Sequence, residues 1–310
     1  MATRSIVAAI DSPITSRPQV AASTLLSDYW ALTKPEVNFL IVITTFAGFY
    51  LGCAASWQDF PFLLAINAVL GTLLVASGTG TLNQYIERDF DAQMRRTARR
   101  PLAAGRLKPS AVLWFGVALS VAGSLYLALA VNILASLLAF ATLLSYLFLY
   151  TPLKRKTPLC TLVGAFPGAM PPLIGWAAAS GRLNFEAWTL YAVLFLWQFP
   201  HFMAIAWTYR DDYDRAGYRV LPRDSQSRIS FVNRQTLLPL LALVTLSLLP
   251  AFTDRSSTLY SVGSLVLSLG FLYYGGRFVI RRSTSTARQL LAASILYLPL
   301  LFVLMVLLRG

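Results

Sequence analysis

Eight stretches of this sequence carry no charged side chain: 37–58, 60–86, 109–153, 157–181, 187–209, 235–253, 256–276 and 289–308. A helix needs about 20 apolar residues to cross the hydrocarbon core of a bilayer. Seven of the runs fit one crossing each, and the 109–153 run fits two, with Asn132 near its middle. The expectation is therefore nine transmembrane helices with the lipid bilayer as solvent. A soluble chain would have to hide every run in one core, and single cores stop growing at about 250–300 residues. Charge agrees: 13% of the 310 residues are charged, against about 25% in soluble domains. The expected fold class is all-α, a polytopic bundle over 31–310 preceded by a polar tail over 1–30.

The net charge of +13 would suit a nucleic-acid partner, so its distribution matters. With the N-terminus in the cytoplasm, all but three of the 26 lysines and arginines fall on the cytoplasmic side; Arg182, Arg255 and Arg309 lie opposite. That asymmetry follows the positive-inside rule, and no nucleic acid is needed to explain it. The tail is rich in Ser, Thr, Ala and Pro and has no apolar stretch of the kind a signal peptide requires. Its two arginines and Asp11 make a weak transit peptide. It reads as a cytoplasmic tail of a plasma-membrane protein, with the mitochondrial inner membrane as the alternative. Cys53 and Cys160 stand alone, without disulfide or metal-site spacing, and read as small buried apolar residues.

Two connections mix acids and bases, from about 83 to 109 and from about 208 to 234. In the first, no breaker separates span two from Asp91, so the helix should continue through it. Asn83, Glu87 and Asp91 then fall at i, i+4 and i+8 on one helical face, with Asp89 off it. Like charges at that spacing repel, and acids at a membrane boundary are costly and usually functional. Converging hard oxygens suit Mg2+, which binds through one or two carboxylates and substrate phosphate. The arginines from Arg95 to Arg100 follow directly, and guanidinium forks match phosphate oxygens. A salt-bridged, solvated loop would use the same residues for small gain.

Asn83-xxx-Glu87-x-Asp89-x-Asp91, followed by Arg95-Arg96-Thr97-xx-Arg100-Pro101-Leu102, resembles the first signature of the UbiA-type intramembrane prenyltransferases. Within them it resembles the heme-farnesylating branch. The family pattern has Asp where this chain has Glu87, which leaves direct or water-mediated metal contact open. Four further segments resemble the same family: Tyr150-Thr-Pro-Leu-Lys154-Arg155-Lys156, Gly164 to Trp176, Trp197-Gln198-Phe-Pro200-His201, and Tyr209-Arg-Asp211-Asp212-Tyr-Asp214-Arg-Ala-Gly217. The Pro and Gly of the Gly164–Trp176 segment should break or kink span five. The resemblance covers about Tyr29 to Arg234, and its motifs are specific as a set.

The resemblance implies helices around a central cavity and transfer of farnesyl from farnesyl diphosphate to a vinyl group of heme B. It implies Mg2+ held by Asn83, Glu87, Asp91 and Asp212, and diphosphate held by Arg96, Arg100, Lys154 and Arg155. His201, the only histidine, would contact heme; a lone histidine is otherwise a hydrogen-bonded core residue. Tyr85, Tyr146 and Trp197 are candidates for shielding an allylic cation. Heme A synthase or terminal oxidase assembly would be downstream. Two rivals stay open: a relative that prenylates an aromatic acceptor, and a transporter. Transporter sites usually lie near the bilayer midplane, whereas these acids cluster at one face.

Overall fold

The computed structural model describes residues 24–53, 59–249 and 258–308. Residues 1–23 of the expected tail, Arg255 and Arg309 lie outside the described residues. The end of the expected tail is a helix, Leu25–Leu32, capped by Thr24.

Among the described residues nine helices are long and apolar enough to cross a membrane, the number expected from the uncharged runs. They are spans one to nine: Pro35–Gly52, Phe62–Asp91, Pro109–Ala130, Ile133–Leu153, Cys160–Ser180, Phe185–Thr208, Ser225–Ser247, Thr258–Arg281 and Thr284–Leu307. No strand occurs among the described residues. Local sequence sets the boundaries. Pro35 and Pro109 open spans one and three at the first helical turn, where a missing N–H costs nothing. Asn132 caps span four, accepting from the Ala135 N–H at 2.9 Å, and so divides the long run into two crossings. Asn184, Asp224 and Ser283 cap spans six, seven and nine in the same way.

Two spans depart from regular helix. Span four passes through a π-helical segment, Ser145–Tyr150, before its last turn, Thr151–Leu153. Span five is interrupted at Ala169, between Cys160–Gly168 and Met170–Ser180, where Pro171 and Pro172 restart the helix. Span five is also the most enclosed, with 67% of its apolar window buried against 22% for spans four and seven. Its second half lies directly on span one: a Cβ on Gly175 would overlap the carbonyl oxygen of Thr45. Close approach through small residues is how helices associate without a hydrophobic drive between them. One apolar cluster joins spans one to five, and a second joins span five to spans six through nine.

Candidate active site

Span two has 30 residues, about 45 Å at 1.5 Å per residue. It therefore outruns the hydrocarbon core and carries its last turns into the face where the basic loops gather, called here the basic face. Asn83, Glu87 and Asp91 are 2%, 6% and 2% exposed, on one side of this helix, while Asp89 is exposed. The helical spacing read from sequence is thus realised.

Each buried acid is met by bases from elsewhere in the chain. Glu87 Oε1 accepts from Lys154 Nζ at 2.5 Å and from the Tyr218 hydroxyl at 2.9 Å. Its Oε2 accepts from Asn83 Nδ2 at 2.8 Å. Asn83 Oδ1 in turn accepts from Lys34 Nζ at 2.9 Å, and its amide reaches Thr151 Oγ1 at 3.2 Å. Asp91 Oδ2 accepts from Arg100 Nη1 at 2.6 Å, and the Asp91 carbonyl accepts from Thr97 Oγ1 at 2.9 Å. Asp212, on the short helix Arg210–Arg215, accepts from the Arg96 backbone N–H at 3.2 Å and from Arg215 Nη1 at 3.0 Å. The two acidic segments therefore meet on one face, joined through the loop after span two. A buried carboxylate is tolerable only when paired and hydrogen-bonded, and that condition is met at all three acids.

Of the remaining candidates, Arg96 extends its guanidinium over the Tyr209 ring, 5.2 Å from the centroid. Arg155 stacks on Phe90 at 4.2 Å rather than on an acid. Asp211 and Asp214 sit on the surface with Arg210 and Arg228. Tyr85 packs with Arg88, and Tyr146 lies in the π-helical segment. His201 belongs to another neighbourhood. Its ring stacks on Trp197 at 4.6 Å, and Nδ1 lies 2.8 Å from Ser294 Oγ on span nine. The single hydroxyl proton of Ser294 goes to the Leu291 carbonyl at 2.6 Å. Ser294 can then only accept from Nδ1–H, which leaves the Nε2 lone pair of the neutral ring for another partner.

Sequence reasoning missed two members of the cluster. Lys34, in sequence terms one of the many cytoplasmic-side charges, is the first. It occupies the left-handed region at φ 54°, a conformation costly for a side chain with a Cβ, and this turns its amine back onto span two. Burial, and then the charges of Arg100 and Lys154, push its ammonium down to about 7 against the pull of Glu87 and Asp91. Tyr218 follows Gly217, at φ 74°. Burial and the Glu87 charge raise its phenol, so it remains a donor. The signals were a lysine ahead of a proline at a span entrance and a tyrosine after a turn glycine.

The donor set suits a hard divalent cation: oxygen ligands, buried, on one face. Among the described residues no three acidic, histidine or cysteine side chains are gathered closely enough to hold a metal between them. The acids are instead held by Lys154, Arg100 and Arg215. An Mg2+ ion bound with one or two carboxylates and phosphate oxygens needs no such trio.

Fold and site together define a membrane-embedded helical enzyme that gathers acids and bases at one end of its bundle. Residues 41–305 match the UbiA prenyltransferase family, and the chain belongs to it. It is 49% identical over 289 residues to the protoheme IX farnesyltransferase of Solibacter usitatus, covering 91% of this chain and 98% of that one. A solved structure of a digeranylgeranylglyceryl phosphate synthase superimposes with TM-score 0.72 at 17% identity, covering 91% of this chain and 97% of that one. A UbiA homologue from Archaeoglobus fulgidus bound to GPP and Mg2+ gives TM-score 0.60 at 17% identity, covering 90% and 99%. The chain is a multi-pass membrane protein.

Proposed function

We propose that this chain transfers the farnesyl group of farnesyl diphosphate to a vinyl group of heme B. With water, the products are heme O and diphosphate. The observation that carries the reading is the buried Asn83–Glu87–Lys154–Tyr218 network, in a chain 49% identical to a relative named for this reaction. The basic face is cytoplasmic in this proposal, and the membrane is the plasma membrane.

Asn83, Glu87, Asp91 and Asp212 are the residues that would hold Mg2+. When bound, the ion supplies positive charge to the leaving diphosphate. Arg96, Arg100, Lys154 and Arg155 orient the diphosphate and share its developing charge, which is electrostatic stabilisation of the departing group. The allylic C–O bond breaks and its electron pair leaves on diphosphate oxygen. The vinyl terminus of the porphyrin forms the new C–C bond, water adds to the resulting cation, and one proton is released. The cavity for both substrates must keep other water from the allylic cation. His201 is the heme contact in this scheme: its Nε2 lone pair would meet the iron, whereas a propionate contact would need Nε2 protonated. Heme A synthase or terminal oxidase assembly would consume the product.

The test is mass spectrometry of heme extracted from cells that lack their own heme O and express this chain. A hydroxyethylfarnesyl heme is expected. Unmodified heme B alone, with the protein present in the membrane, overturns the reading.

A further inference from the structure

A cavity of about 230 Å³ opens on the basic face, lined by Lys156, Pro158, Arg219, Leu221, Pro222 and Arg223. It joins the turn after span four to the loop before span seven. The Arg219 N–H donates to the Lys154 carbonyl at 2.8 Å, which pins the two segments together. Lys154 and Tyr218 face Glu87 on the inner side of this wall, and Lys156 and Arg219 face outward.

Two features of this patch bear on what it would bind. First, three cations, Lys156, Arg219 and Arg223, line one space. Like Arg281 and Arg282 elsewhere on this face they form no ion pair among the described residues, whereas Arg100, Arg106, Arg215 and Arg228 each pair with an aspartate. No acid lines the cavity. Three like charges around one small space favour an anion, and guanidinium forks fit phosphate oxygens. Second, an apolar rail begins at its edge. Leu159, Leu162 and Phe166 are 57%, 41% and 49% exposed. Their spacing of three and four places them on one stripe of span five, leading from Pro158 toward the hydrocarbon. A free phosphate would use only the charged head of this arrangement, whereas an amphiphile uses both parts.

We propose that this cavity binds the headgroup of an anionic phospholipid, with an acyl chain along the Leu159–Phe166 stripe. The site is distinct from the carboxylate cluster and does not depend on the reaction assigned above. Basic side chains at a membrane surface draw anionic lipids additively, and here three converge on one space rather than spreading over a face.

The experiment is native mass spectrometry of the full chain, purified with equal phosphatidylglycerol and phosphatidylcholine. The wild type is expected to retain phosphatidylglycerol preferentially. Lys156→Gln, Arg219→Gln and Arg223→Gln should each lower that preference about fivefold, the equivalent of about 1 kcal/mol. Arg281→Gln with Arg282→Gln, on the same face away from the cavity, should leave it unchanged. Combining the three substitutions should abolish the preference; if that triple variant fails to fold, the three single variants carry the test. Equal retention of both lipids by the wild type overturns the proposal. So does an unchanged preference in the cavity variants, or an equal loss in the Arg281/Arg282 variant. Displacement of the lipid by micromolar farnesyl diphosphate, or by inorganic phosphate alone, assigns the cavity to those ligands and also overturns it.

Discussion

The phenol of Tyr218 donates to Glu87 Oε1 at 2.9 Å, joining the loop before span seven to the end of span two across 131 residues of chain. Lys154 reaches the same oxygen, so three separate segments close on one carboxylate. A hydrogen bond to a charged group is worth about 1.5–3 kcal/mol. Tyr218→Phe keeps the ring and removes the donor, and should lower unfolding stability by about 2 kcal/mol. Thermal unfolding in detergent, with and without Mg2+, measures it. An unchanged midpoint would show that the contact contributes nothing.

Asp91→Asn removes the partner of Arg100 and one proposed metal ligand while keeping shape. Transfer should fall by at least about 100-fold, the scale of losing one preorganised electrostatic contact, while membrane insertion persists. Single-turnover assays with labelled farnesyl diphosphate and heme B are the check. Wild-type turnover would remove Asp91 from the proposed site.

Chelating divalent metal should abolish transfer, and Mg2+ should restore it. The carboxylates then remain with Lys154, Arg100 and Arg215, so the fold should survive chelation. Comparing activity with thermal midpoint in the same sample separates the two effects. Activity that persists in excess chelator sinks the metal assignment.

Gly175→Ala should loosen the contact of spans one and five, because the added Cβ overlaps the Thr45 carbonyl and the helices must move apart. Overpacking of this kind costs about 1–3 kcal/mol. The readout is the thermal midpoint of the detergent-solubilised variant, which should be lower than wild type.

Asp224 caps span seven by accepting from the Ser227 N–H at 2.7 Å, and this bond holds its carboxyl below the ordinary 3.8. A group with a depressed folded value stabilises above its unfolded value and loses that contribution as pH falls through the folded one. Exchange protection at residues 225–228 should therefore drop on acidification below about pH 4. Asp224→Asn, a neutral cap, should remove that dependence. Parallel pH profiles for the two proteins would refute this.

The number of spans was legible because charge is excluded from hydrocarbon; the helix ends were less so, since span seven starts at Ser225, ten residues before its uncharged run, and span two runs on to Asp91. Asn83, Glu87 and Asp91 were legible because a helix imposes its own spacing. Lys34 and Tyr218 were not: a lysine before a proline and a tyrosine after a glycine hint at a turn, but not at where the left-handed backbone carries each side chain. The stacking of the Arg155 guanidinium on Phe90 was not legible either, because Arg155 follows span four while Phe90 sits in span two. The pairing of Asp212 with a backbone N–H of Arg96 could not be read from side chains at all.

The π-helical segment Ser145–Tyr150 ends four residues before Lys154. In effect it inserts one residue into an otherwise regular helix, and one residue turns everything after it by about 100°. The amine that meets Glu87 is thus aimed by a miscount upstream, within the bilayer. Surface loops forgive the gain or loss of a residue, but at this point inside a span a single residue lost from an unremarkable apolar stretch would swing a charge away from the site without altering any residue in it.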